Sequence, residues 1–233
     1  MALLLALPAL IFIYGSNLES ADGHSDSSAP RDRPVVKQLA TSAKVAALTF
    51  DDGPDPRFTP RILDELKRRG IKATFFVIGE QVALYPALAR RLVTEGHVLA
   101  NHSYTHPQLE RMPERVVSAE LESCDEAVRR LGAPTPTFFR APRGNLSPTI
   151  FRVGQRRGYT IINWTVCADH HDAPTPKDMA RRVLDHVRPG MIVLIHDGRM
   201  KIRELDVQAL PLIIDGLEKL DYRFVTLDRK WLR

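Results

Sequence analysis

Short, unbroken apolar runs alternate with longer amphipathic segments along most of this chain, and that rhythm leaves few folds open. The runs fall at 45–50, 73–78, 97–101, 137–140, 160–166, 191–195 and 224–227. Between them, 60–69, 82–95, 113–131, 147–157, 176–187 and 207–220 carry apolar residues at helical spacing, as in Ile62, Leu63 and Leu66. Gly70, Gly96, Gly132, Gly158 and Gly190 follow the expected helix ends, and Pro60, Pro148 and Pro176 stand at expected starts. Strand–helix alternation requires a parallel sheet with helical crossovers. Runs that are continuous rather than alternating belong to strands buried on both faces. The expectation is an α/β fold, a distorted (β/α) barrel of about seven parallel strands in one domain over 44–233; an open, doubly wound sheet is the alternative.

Placement adds chemistry to this pattern. Asp51 and Asp52 end the first run, His102 follows the third, Arg140 ends the fourth, Asp169 and Asp172 follow the fifth, and His196 ends the sixth. All of these polar residues fall at strand carboxyl ends, where barrel active sites are assembled. The Asp51–Asp52 pair with His102 and His106 offers the oxygen and nitrogen donors of a zinc-type site with an open position. Four-residue spacing would place the two histidines on one face of a helical turn. Adjacent side chains on a strand point apart, so Asp51 cannot easily share one metal geometry with Asp52, and one carboxylate of the pair is left over, free to act as a base.

The 233 residues carry 33 Lys and Arg against 28 Asp and Glu. The excess is scattered as pairs on helix-like segments, which reads as solvated helix faces; no basic–aromatic interleaving argues for nucleic acid. Cys124 and Cys167 are too few for a disulfide framework and read as two thiols. Residues 1–14 are almost wholly apolar and too short to span a bilayer, and 15–43 read as a linker. The pair suggests a signal or anchor segment, peripheral membrane association, and a secreted, periplasmic or envelope location; a frayed apolar helix is the alternative.

Thr49-Phe50-Asp51-Asp52-Gly53, His102-Ser103-Tyr104-Thr105-His106, Arg140-Ala141-Pro142-Arg143-Gly144 and Leu194-Ile195-His196-Asp197, in this order, resemble the motifs of the polysaccharide deacetylase family (NodB homology, carbohydrate esterase family 4). The resemblance covers roughly 44–227. It implies a distorted barrel and a divalent cation, zinc first with cobalt, nickel or manganese as alternatives, held by Asp52, His102 and His106. It implies Asp51 as general base paired with Arg140, His196 as general acid, and the Arg143 backbone N–H as oxyanion donor. Leu194 would line an acetyl pocket and Trp164 a sugar wall. The implied reaction is removal of N-acetyl groups from amino-sugar polymers or oligomers; O-acetyl ester hydrolysis on a xylan-like polymer, or sugar binding without turnover, are the alternatives. One motif departs. Where the family commonly shows Trp-x-Val-Asp-x-x-Asp-Trp, this chain reads Trp164-Thr165-Val166-Cys167-Ala168-Asp169-His170-His171-Asp172. The carboxylate that orients the acid histidine would then be shifted to Asp169 or Asp172, or be absent, and His170 with His171 could form a second metal site.

Overall fold

A computed structural model describes residues 35–169 and 171–232. The apolar segment 1–14, the first part of the expected linker and His170 lie outside the described residues. No helix among those described is long and apolar enough to cross a membrane.

Seven parallel strands line up in the order β5-β4-β3-β2-β1-β7-β6. They are β1 (Val45–Asp51), β2 (Thr74–Val77), β3 (Val98–Asn101), β4 (Phe138–Phe139), β5 (Thr160–Ile161), β6 (Val166–Cys167) and β7 (Met191–His196); a short β8 (Arg223–Phe224) pairs with the start of β1. The helices are α1 (Thr59–Arg68), α2 (Gly79–Leu84), α3 (Pro86–Thr94), α4 (Glu114–Arg129), α5 (Pro148–Arg156), α6 (Pro176–Asp185) and α7 (Glu204–Lys219). The expected barrel is therefore present, as a curled parallel sheet wrapped by helices.

Alternation along the central strands sorts two cores. Ala46, Leu48 and Phe50 of β1 pack with Ile62, Leu63 and Leu66 of α1 on the helix side. Val45 and Ala47 pack with Phe76, Ala100, Phe138 and Ile192 on the inner side. Period two carries the inner face on to Thr49 and Asp51, and along β7 from Ile192 to Leu194 and His196. The inner stripe is thus apolar at its base and polar at its carboxyl end.

Three features depart from the sequence reading. The expected helix over 82–95 is two helices broken at Tyr85 (φ −124°, ψ 57°), because Pro86 has no N–H and bars helical geometry to the residue before it. The expected strand over 160–166 is split into β5 and β6. In the gap, the carbonyls of Ile162 and Asn163 accept hydrogen bonds from the buried Arg140 guanidinium. That gap carries the chain from one edge strand of the sheet to the other. Finally, residues 35–43, assigned to the linker, pack on the barrel: Val36 bridges Ile162, Gln38 bridges Met191, and Leu39 is buried.

The paired basic residues sit on exposed helix surfaces in ion pairs, such as Arg68 with Glu65 and Arg129 with Glu122 and Glu126. Water screens such exposed pairs, consistent with solvated faces. Both cysteines are free thiols.

Candidate active site at the carboxyl end of the barrel

The backbone turns sharply after Asp51. Asp52 has φ +79°, a left-handed conformation that costs a non-glycine residue about 1–2 kcal/mol. It breaks strand alternation, so the two neighbouring carboxylates do not point apart as the sequence reading required. Asp51 Oδ2 and Asp52 Oδ1 both lie 3.7 Å from His102 Nε2. The turn is tied down by Asp197, whose Oδ1 accepts the Gly53 N–H (3.0 Å) and whose Oδ2 accepts the Thr59 hydroxyl (2.6 Å). A Cβ at residue 53 would run into that carboxylate, which explains the glycine. Burial pushes the Asp197 carboxyl up to about 8.

His102 and His106 lie on a loop, not a helical turn; Ser103 and His106 have φ +67° and +60°. Their rings still meet, with centroids 5.0 Å apart, because side chains from elsewhere hold the loop. Ser103 Oγ accepts the His106 N–H. Glu120 of α4 accepts the N–H groups of Tyr104 and Thr105. Asn101 accepts the Ser103 N–H and donates to Asp125 and to the Tyr159 hydroxyl oxygen, while Tyr159 Oη donates to Asp125 Oδ1. None of Asn101, Glu120, Asp125 or Tyr159 was singled out from the sequence. Their only trace there was polar residues on otherwise apolar stripes. Tyr159→Phe removes the hydroxyl from this buried network and should cost about 1–3 kcal/mol, read as an earlier urea-unfolding midpoint; an unchanged midpoint would show that the network does not hold the loop.

Arg140 follows β4 and is wholly buried. Its Nη1 donates to Asp51 Oδ1 (2.6 Å) and Thr49 Oγ1 (3.1 Å), its Nε and Nη2 donate to the carbonyls of Ile162 and Asn163, and its plane lies 4.0 Å over the Phe76 ring. A guanidinium with partners on every side can stay charged in the interior. Burial pushes the Asp51 carboxyl up to about 6, and Arg140 is what pulls it back. The Asp51 carboxyl therefore exchanges its proton closer to neutrality than an ordinary carboxyl does.

The donor set fits a cation. Asp52 Oδ1 is buried without a hydrogen-bond partner, 3.3 Å from His106 Nε2. One donor atom from each of Asp52, His102 and His106 lies within 4.8 Å of the others. His102 Nδ1 is 2.8 Å from the Arg140 carbonyl; donating its proton there leaves Nε2 with its lone pair turned to the site. Burial lowers His102 to about 4 and His106 to about 3, so both are neutral, the ligating form.

These residues open into a pocket of about 440 Å³. Its lining includes Asp51, Asp52, His102, His106, Arg143, Trp164, Leu194 and His196. Arg143 takes φ +60°, and Trp164 lies so close to Gly144 that a Cβ there would collide with its ring. A larger hollow of about 760 Å³ lies over α2, α3 and α4. Its polar lining consists largely of residues paired with one another, among them Glu122, Glu126, Arg129 and Arg130, and it holds no donor cluster.

Of the two expected orienting carboxylates, Asp169 lines the pocket with His196 and Asp172 does not. Asp172 is at the surface, 3.7 Å from Arg182. Asp169 lines the pocket but pairs with His171 and Arg203, at 4.0 Å from each. The carboxylate next to the His196 ring is Asp206, on the first turn of α7, with Oδ1 3.9 Å from Nδ1 and accepting the His196 backbone N–H at 3.1 Å. Asp206 and the buried Arg203 escaped the sequence reading because they lie past the last motif, in a stretch that reads as an ordinary helix start.

Comparison with known proteins agrees with this geometry. A family model described as polysaccharide deacetylase matches residues 38–162. A peptidoglycan-N-acetylglucosamine deacetylase of Bacillus cereus is 36% identical over 78% of this chain and 66% of that protein. A chitooligosaccharide deacetylase of a Bradyrhizobium species is 37% identical over 74% of this chain and 84% of its own length. Among solved structures, a peptidoglycan N-acetylglucosamine deacetylase in complex with 4-naphthalen-1-yl-N-oxidanyl-benzamide superposes with a TM-score of 0.79 at 33% identity, covering 83% of this chain and 90% of the other. On fold, motif order and sequence identity together, the chain belongs to the polysaccharide deacetylase family.

Proposed function

We propose that the chain is a cation-dependent hydrolase that removes N-acetyl groups from amino-sugar polymers or oligomers of the peptidoglycan or chitooligosaccharide type. The observation that carries this reading is the meeting of three elements at one pocket: the Asp52–His102–His106 donor set, the Asp51–Arg140 pair and His196. The relatives named for deacetylation of such polymers support the substrate class.

A divalent cation, zinc by its donor set, would be held by Asp52, His102 and His106, and when bound it supplies Lewis-acid polarisation of the acetamide carbonyl and acidifies water. Asp51 takes a proton from the attacking water as its oxygen bonds to the carbonyl carbon. Arg140 keeps Asp51 ionised and aimed. The Arg143 N–H stabilises the oxyanion of the tetrahedral intermediate. His196 then gives a proton to the amide nitrogen as the C–N bond breaks, releasing acetate and a free amine. Leu194 and Trp164 supply apolar walls for the acetyl methyl and the sugar ring. A substrate that is part of a cell wall places the enzyme outside the cytoplasm or at the envelope.

The test is acetate release from chitooligosaccharides and peptidoglycan glycan strands, with acetylated xylan as comparator. Activity on the amino sugars should vanish on chelation and return on adding zinc. Undiminished activity of protein shown to be free of metal, or acetate released from xylan alone, would overturn the reading.

A further inference from the structure

Beside His196 lies a buried pair, Asp206 and Arg203, that the proposed reaction has not used. His196 Nδ1 is buried and has no hydrogen-bond partner. Asp206 is fully buried, and its Oδ2 also lacks a hydrogen bond. Arg203 is buried to the same degree as the core around it, and its Nε and Nη1 are likewise unmatched. Buried polar groups left unmatched cost about 1–3 kcal/mol each, so four such atoms side by side call for a use.

The distances say what that use is. Arg203 Nη1 stands 3.6 Å from Asp206 Oδ2, and Asp206 Oδ1 stands 3.9 Å from His196 Nδ1. Asp206 thus stands within reach of both Arg203 and His196, which themselves line the pocket. Asp206 Oδ1 already accepts the His196 backbone N–H, so the carboxylate is fixed to the residue whose ring it faces. A small rotation of the imidazole closes the remaining gap to a hydrogen bond, a common tightening on substrate binding.

We propose that Asp206, carried on α7 and backed by Arg203, is the positioning carboxylate of His196: it accepts from Nδ1–H, fixes the ring and stabilises the imidazolium whose Nε2–H is given to the substrate nitrogen. It acts through His196 and touches no reacting atom. Residue 167 on β6, paired with Leu194 on β7, cannot serve: it is a cysteine whose thiol burial pushes up to about 12. A neutral thiol is a weak acceptor and cannot balance an imidazolium. Asp206 brings a fully buried carboxylate to 3.9 Å from the ring nitrogen. Arg203 completes the arrangement. Burial pushes the Asp206 carboxyl up to about 7 and Arg203 is the foremost influence opposing it, as a carboxylate that must stay charged requires. Burial first, and after it the same guanidinium, lower His196, and a carboxylate at Nδ1 opposes both.

This assignment rests on His196 being the general acid of the proposed deacetylation, and its test separates the two. Nitrogen-15 NMR of the imidazoles in the zinc-loaded full chain reads the His196 tautomer without any turnover. The expected result is a proton on Nδ1 in the wild type and a shift toward the Nε2–H form in Asp206→Asn, which is isosteric and keeps an acceptor for the His196 N–H. In acetate release, Asp206→Asn should lower kcat about 10²–10⁴-fold, by analogy with carboxylate-supported histidines in other hydrolases, with KM and zinc affinity unchanged, and Asp206→Glu should recover part of the loss. A wild-type His196 with Nδ1 unprotonated would overturn the proposal, and this reading needs no variant that folds. So would Asp206→Asn with wild-type kcat, or a loss that falls equally on KM, zinc affinity and melting temperature. If the wild type releases no acetate from any substrate, the functional reading fails while the tautomer measurement still decides the role of Asp206.

Discussion

Asp51→Asn is expected to cut acetate release by about 10²–10⁴-fold while the protein still takes up its cation. The substitution changes little in shape. Asn keeps an oxygen for the Arg140 Nη1 hydrogen bond (2.6 Å in the wild type), and Asp52, His102 and His106 keep their donor atoms together. What disappears is basicity. Asp51 is suited to be a base because two opposed effects nearly balance: burial pushes its carboxyl up to about 6, and Arg140 restrains it. An amide cannot accept the proton of the attacking water. The measurements are kcat on a chitooligosaccharide and the zinc dissociation constant of the variant. A kcat within a few fold of wild type would place the base elsewhere, and loss of zinc would make Asp51 a ligand rather than a base.

Arg140→Leu is expected to damage both stability and the pH profile. Removing one partner of a buried ion pair costs about 3–5 kcal/mol, and here the loss also frees the carbonyls of Ile162 and Asn163 and uncovers Phe76. The sign for pH follows from Asp51. Its folded value lies above the ordinary 3.8, so folding favours the protonated form and stability declines as pH rises through the folded value. Without Arg140 the folded value climbs further. The variant should therefore lose more stability at pH 8 than at pH 4, measured by urea unfolding at both. The acid limb of its rate profile should move to higher pH, because fewer molecules carry ionised Asp51 at any given pH. An unmoved acid limb would detach Asp51 from that limb.

The inner face of the barrel explains how much of this was legible beforehand. Asp51 and His196 end β1 and β7, and a strand's period of two fixes which side chains share a face, so their common direction could be read from the apolar runs themselves. Leu194 followed from the same period. Arg140 was legible as a strand end, but its hold on the carbonyls of Ile162 and Asn163 was not, and that hold split the run over 160–166 into two strands. Local regularity also misled at Asp52 and at the His102–His106 loop. There the backbone enters left-handed geometry, which neither strand nor helix periodicity describes, and partners distant in sequence hold it: Asp197 for the first, Glu120 and the Asn101–Asp125–Tyr159 network for the second.

The order of apolar runs, amphipathic segments and strand-end polar residues by itself determined a parallel α/β barrel, the mouth at which its chemistry sits, and the donor types gathered there. These are consequences of short-range periodicity, which the chain carries wherever it folds. Only the tertiary structure decided which carboxylate faces His196. The first turn of α7 meets the end of β7, where Asp206 accepts the His196 N–H and its carboxylate lies 3.9 Å from the ring nitrogen, a contact that no motif spacing announces. Contacts between elements depend on how helices dock onto the sheet, and no residue spacing along the chain encodes that distance.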